Sequence, residues 1–312
     1  MCPFSVLSNI FPTSHQVTTT KSTANSPNDG GNAQAQASVV TATFSLATYM
    51  YAVWALVSWW LFLVPNTFLP DSVVSLKLYS METSPRTSSV VEATIHNVGQ
   101  MFIFGFVHSV LARKVVKKKM NLPRSIERSV FVLQGSLLLH MIQHRWLDVE
   151  TGVAVWNLSS HHHIVEIVLG LFWFGAGFLL SATFALDHFH LFGLSQGFGI
   201  DINKKLGLAF DPFEHEGCMK TRWHYSIVAH PIMTGMFLNL WCTPIMTYSR
   251  FVCACFLSSY ILIGVLMLEE NTLRLEIGKQ YDQYLSQTPR FFPFEHFLLH
   301  PTVHHEGTKK IM

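Results

Sequence analysis

Two residue pairs in this chain are suited to binding a charged ligand: His230-Pro231 and Glu269-Glu270. The carboxylates can take an ammonium group or ribose hydroxyls. Tyr225, Tyr281, Tyr284 and Trp223 lie nearby in sequence and can stack on a base or face a sulfonium. Each pair has a plainer reading on its own. Glu269-Glu270 reads as a solvated helix end just past an apolar run, and His230-Pro231 reads as a kink with an interior histidine. Spacing is what joins them. Apolar runs 225–247 and 251–268 are each about one membrane thickness long. Thr243-Pro244 and Tyr248-Ser249-Arg250 supply a turn between them. From a turn near Thr247, His230 lies 17 residues back and Glu269 lies 22 residues on. At ~1.5 Å rise per residue these are about 26 and 33 Å, so both pairs fall near one end of a helical hairpin. Pro231 also frees a backbone carbonyl one turn earlier.

Other residues invite chemistry less strongly. His108 closes an apolar stretch and is followed by Ser109 and Arg113, as a helix-end cation or a cavity-lining group. His188 and His190 follow another apolar stretch on the same side. His140 and His144 are spaced i, i+4, which suits a metal, but no carboxylate neighbour completes a ligand set. His161-His162-His163 and His304-His305 read as solvated loop and tail residues. The five cysteines have neither metal nor disulfide spacing. No metal is expected.

The elements that must position these residues are apolar helices. The chain has 312 residues, 49% hydrophobic and 13% charged, with mean hydropathy +0.30. Soluble domains are about 25% charged, so the expectation is an all-α, polytopic membrane protein with the bilayer as partner. A formal net charge of +2 gives no reason to expect a nucleic-acid partner. About six spans are expected: 44–64, 90–112, 129–144, 164–186 and the two arms of the hairpin. Residues 1–40 read as a disordered tail, 41–296 as the membrane domain and 297–312 as a C-terminal tail. With six spans, loops 113–128 and 187–223 share one side and hold eleven Lys/Arg, against four (Lys77, Arg86, Arg145, Arg250) opposite. The positive-inside rule then puts both termini, His230 and Glu269 on the cytosolic side, within reach of a water-soluble cofactor.

The hairpin and tail resemble the membrane methyltransferases of the isoprenylcysteine carboxyl methyltransferase and NnrU-like superfamily. Its hallmark is an Arg-His-Pro-x-Tyr box, a Glu-Glu pair, then Gly-x-x-Tyr-x-x-Tyr and a proline. Here these are His230-Pro231, Glu269-Glu270, Gly278 with Tyr281 and Tyr284, and Pro289. Within the superfamily the chain is similar to the small-thiol branch over about residues 45–293. That likeness rests on Val107–Arg113, Glu127-Arg128-Ser129, Trp146, Trp156, Asp187–Gln196, Trp241–Thr247, Tyr260–Gly264 and Leu268–Glu270. Two positions depart from the box: Ala229 stands where it has Arg, and Met233 where it has Tyr. Arg222 or Lys220 could replace the missing cation.

The resemblance implies S-adenosylmethionine-dependent methylation of a small thiol, methanethiol to dimethyl sulfide. It puts Tyr225, His230, Pro231, Glu269, Glu270, Tyr281 and Tyr284 on the cofactor side. A simple alkyl thiol ionises above cysteine's value of about 8.5, so a base is wanted, and His188 and His108 are the candidates. Three alternatives stay open: carboxyl methylation of a prenylated cysteine, a haem- or metal-binding membrane protein, and a non-catalytic relative. The sequence leaves the oligomeric state open.

Overall fold

A computed structural model describes residues 38–149, 154–208 and 223–295. Nearly all of the expected disordered tail, the expected C-terminal tail, His304-His305, Lys220 and Arg222 lie outside the described residues. The principal helices are α1 (Val39–Leu63), α2 (Val90–Leu111), α3 (Arg124–His144), α4 (His162–Leu186), α5 (Pro231–Trp241), α6 (Tyr248–Ile263), α7 (Glu270–Ile277) and α8 (Lys279–Gln287). Their starts are written locally. Ser38 Oγ accepts from Thr41 N while Thr41 Oγ1 accepts from Ser38 N, a reciprocal cap on α1. The Ser89 side chain caps α2 through Glu92 N, and Thr247 caps α6 through Arg250 N.

Successive helices alternate in direction. Ser45 bonds Ser129, and Ser58 bonds Gln143, so α1 and α3 run parallel. Asn97 bonds Leu147 O, whereas His108 lies against Phe131, so α2 runs antiparallel to α3. Thr94 meets Tyr248, and Ser109 meets Tyr260, which sets α6 parallel to α2. Asn239 donates to Phe172 O, while Gly175 meets Gly235, so α5 runs antiparallel to α4. A Cβ on Gly235 would stand 2.5 Å from Gly175 O and 2.7 Å from Leu179 Cβ, so only glycine permits this crossing. One end of the bundle therefore gathers the starts of α1, α3 and α5 and the ends of α2, α4 and α6. The opposite end is closed by polar ties: Arg250 lies 3.5 Å from Glu82 and donates to Leu63 O, and Asp148 accepts from Ser249.

Two features differ from the expected spans. Among the described residues four helices are long and apolar enough to cross a membrane: Val39–Leu63, Val90–Leu111, His162–Leu186 and the continuous rod Tyr248–Ile277. The run 225–247 is not one helix. It contains α5, only 11 residues, which begins at Pro231 and ends before Thr243. Proline lacks an N–H and suits the first helical position, so Pro231 starts the helix and does not kink one. Residues Ile245–Thr247 then form a strand, β4, antiparallel to β3 (Ala154–Asn157). A second short pair, β1 (Arg86–Thr87) with β2 (Asp148–Val149), is parallel, so the fold is mostly but not purely helical. The remaining expected span is α3, which extends back to Arg124 and carries charge in its first turns.

Candidate active site

The Tyr248–Ile277 rod is not α-helical throughout. Residues Gly264–Glu269 form a π-helical segment that passes directly into α7. Such wide turns tend to occur at functional sites, where they reorient side chains. Here the segment ends at the carboxylate pair, and both Glu269 and Glu270 are buried. His230 is the N-cap of α5 and is also buried. Its ring sits between the two acids, with Nδ1 3.2 Å from Glu269 Oε1 and Nε2 3.4 Å from Glu270 Oε1. The hairpin count is thus matched by contact: the two pairs meet at one end of the bundle.

The two carboxylates differ sharply in surroundings. Glu270 accepts from Arg290 Nε at 2.7 Å and Nη2 at 3.2 Å, and from Arg274 Nη2 at 3.0 Å. Glu269 faces His230 through one oxygen, and its Oε2 has no hydrogen-bond partner among the described residues. The hydroxyls of Tyr225 and Tyr281 are likewise buried and unpartnered. Tyr284 OH donates to Tyr225 O at 2.6 Å and so ties α8 to the approach to α5. Burial pushes the Tyr281 and Tyr284 phenols above their ordinary range, so both keep their protons. Behind this cluster, Ala229 N donates to Pro289 O and His230 N to Arg290 O. Thr234 Oγ1 donates to Phe291 O. Glu295 then accepts from the N–H groups of Arg290, Phe291 and Phe292. Segment 289–295 is a strap across the start of α5.

The cation missing at position 229 has a counterpart in this geometry. Arg290 and Arg274 stand beside Glu270, from the strap and from α7. Sequence reasoning passed over both because it sought a cation upstream of the box. The available signal was Arg290 next to the closing proline of the motif.

The two candidate bases occupy different settings. His108 lines a cavity of about 110 Å³ between α1, α2, α3, α4, α5 and α6, whose walls are mostly apolar. Its ring stacks on Phe104 and lies 4.7 Å from Phe131, and neither ring nitrogen has a hydrogen-bond partner among the described residues. Arg128 and Thr183 also line this cavity, as does Ile232, two residues after Pro231's partner His230. His188 is buried outside the lining, behind Thr183. Thr183 Oγ1 donates to Leu180 O and so receives the proton of His188 Nδ1 at 2.6 Å. His188 Nε2 then accepts from Tyr49 OH at 3.0 Å. Burial lowers its imidazole to about 4, so it is neutral at ordinary pH. His140 bonds Tyr51 OH at 2.7 Å and lies against Trp54, and His144 packs against Tyr79.

The apolar helices define a helical membrane protein with a buried acid–imidazole cluster at one end and an apolar chamber beside it. Neither a family model nor a solved structure matches the chain. Curated relatives do. The methanethiol S-methyltransferase of Crocosphaera subtropica is 34% identical over 235 residues, 74% of this chain and 83% of its own length. That of Mycobacterium tuberculosis is 31% identical over 207 residues, 66% of this chain and 80% of its own length. Nurim of Xenopus laevis is 26% identical over 194 residues, 59% of this chain and 65% of its own length. The chain belongs to the methanethiol S-methyltransferase family.

Proposed function

We propose that this protein is a membrane enzyme that methylates methanethiol, giving dimethyl sulfide. The observation that carries this reading, beside the family, is the pairing of a buried acidic cluster with an apolar chamber holding an unpartnered histidine. A cavity of about 110 Å³ compares with the ~150 Å³ in which benzene is held. That is room for a thiol of two heavy atoms, and it favours a small thiol over a prenylated cysteine.

The methyl donor is S-adenosylmethionine. The residues present fit it: an unpartnered buried carboxylate oxygen on Glu269 suits an ammonium or ribose hydroxyl, and the unpartnered Tyr225 and Tyr281 hydroxyls supply further polar partners. When bound, it supplies a methyl on a sulfonium, which leaves as a neutral thioether as the thiol sulfur forms its new carbon bond. His230, started on its course by Pro231, fixes the two carboxylates relative to one another. Glu270 is held by Arg290 and Arg274, and Tyr284 locks α8 against Tyr225. His108 is the base the geometry favours, since its free nitrogens face the chamber and can take the thiol proton. His188 already spends both nitrogens and acts through Thr183 on the chamber wall.

Six crossings are proposed, α3 and the whole run 225–247 around the short α5 completing the four apolar helices, with both termini and the cofactor cluster cytosolic. The loop charge bias supports that orientation. Methanethiol and dimethyl sulfide, small and apolar, enter and leave through the bilayer. The test is headspace gas chromatography of cells expressing the chain and fed methanethiol. Dimethyl sulfide is expected from the natural chain and not from Glu269→Ala. Absence of product at good membrane expression would refute the reading.

A further inference from the structure

Besides His108, Thr183, Ser136 and Asn239, the cavity wall carries a cation. Arg128 lines the chamber from the start of α3. Its Nε donates to Leu191 O at 2.6 Å and its guanidinium lies 5.1 Å from the Phe131 ring centre. Nη1 is buried with no hydrogen-bond partner, and among the described residues Arg128 makes no salt bridge. The neighbouring acid, Glu127, is engaged 3.7 Å from Lys117 Nζ. The other charged or titratable groups facing this corner are Lys117, whose Nζ lies over Phe131, His108 from α2, and His190 from the segment after α4. Glu127 attracts Arg128 through space without forming a salt bridge to it, and Asp201 acts on His190. A buried guanidinium nitrogen left without a partner in an apolar chamber is costly unless something pairs with it.

We propose that Arg128 holds the substrate sulfur as a thiolate in the chamber it shares with His108. This assignment rests on the methyl-transfer reading above. The thiol proton passes to His108, and the negative sulfur is retained against the guanidinium. Its electron pair then forms the new carbon–sulfur bond as the donor's carbon–sulfur bond breaks, leaving two neutral thioethers. Arginine suits this task because it stays charged throughout. The role explains why a charged residue is tolerated where Leu, Ile and Phe surround it.

Arg128→Met and Arg128→Lys, in the full chain in detergent, test the assignment. Two readouts are taken: methyl transfer across pH, and the ultraviolet thiolate band when methanethiol is added without any methyl donor. The natural chain should develop the band near neutral pH and Arg128→Met should not. The kcat/KM for methanethiol should fall at least about tenfold in Arg128→Met, and the ascending limb of its kcat–pH profile should move up by about one pH unit. Arg128→Lys should recover part of both. The melting temperature of Arg128→Met should be unchanged or higher, because an unpaired buried charge has gone. Absence of the band in the natural chain would overturn the assignment. So would an unaltered pH profile, or a loss of activity that merely tracks a fall in melting temperature. A rise in the KM for the methyl donor with that for thiol unchanged would place a donor carboxylate on Arg128 and equally overturn it. A band lost with Arg128→Met in a protein that makes no thioether would sink the function while upholding the assignment.

Discussion

The two adjacent carboxylates should respond unequally to neutralisation. Glu270→Gln keeps the side chain's volume but removes the charge that Arg290 and Arg274 share, through contacts of 2.7, 3.2 and 3.0 Å. Charge-assisted hydrogen bonds are worth about 1.5–3 kcal/mol each when sheltered. Both arginines are more than a third exposed (38% and 36%), so these contacts count for less than that and the freed cations can rehydrate. A net loss of roughly 3 kcal/mol follows, at the lower edge of the range for breaking a buried pair. Glu269→Gln removes a carboxylate whose Oε2 is unpartnered, and whose one charged neighbour, His230, also has Glu270. Its stability cost should be no more than about 1 kcal/mol. At ~2–4 °C per kcal/mol, the two variants should differ by roughly 4–8 °C in melting midpoint, Glu270→Gln being lower. Tryptophan fluorescence of the detergent-solubilised protein on heating gives the midpoints, and dimethyl sulfide production gives the activities. Glu269→Gln should be stable and inactive. Equal midpoints, or a Glu269→Gln that is both less stable and fully active, would refute this division between a structural and a ligand-facing acid.

Three further outcomes are expected. Gly235→Ala must push a methyl group to 2.5 Å from Gly175 O, so it should cost at least ~2 kcal/mol and lower the folded yield, read by size-exclusion chromatography. Gly135→Val should fill the chamber beside His108, whose ring lies 3.5 Å from where a Cβ would stand. Its KM for ethanethiol should rise more than for methanethiol, measured by head-to-head competition, with the melting midpoint little changed. His188 and Asp187 should give opposing pH dependences of stability. The imidazole, lowered to about 4 by burial, favours the fold above its unfolded value of ~6.5, and that contribution is lost as pH falls toward 4. Burial raises Asp187 to about 6, so its contribution is largest in acid and is lost as pH rises through 6. His188→Phe should therefore gain stability from pH 7 to 4.5 relative to the natural chain, in melting curves at each pH. A steeper acid loss in the variant would contradict these signs.

Much of the site's arrangement was legible from helix arithmetic. Counting back and forward from Thr247 brings His230 and Glu269 to one level, although the first arm is helical only over Pro231–Trp241 and reaches Thr247 through a strand. The shortening itself was less visible. The run 225–247 is largely apolar, and hydropathy does not distinguish a continuous helix from the 3-10 turn and strand that flank α5. Pro231 was the clue, since a proline after an N-cap histidine marks a beginning as readily as a kink. Arg290 escaped because its partner Glu270 lies 20 residues away on another element. Arg128 was counted with the basic loop charges, and nothing in its neighbours along the chain says that it turns inward. The π-helical segment has no sequence signature here beyond Gly264.

The strap carries a consequence for biosynthesis. Residues 289–295 follow every apolar helix among the described residues, yet they bond the backbone of Ala229, the backbone of His230 and the side chain of Thr234. The cluster therefore cannot close co-translationally as its own residues emerge. It waits until the last helix has inserted and the segment behind it has left the ribosome. A chain stopped between Glu270 and Pro289 would carry both acids, the histidine and the chamber, and would reach the membrane as an open, unlatched protein exposed to quality control.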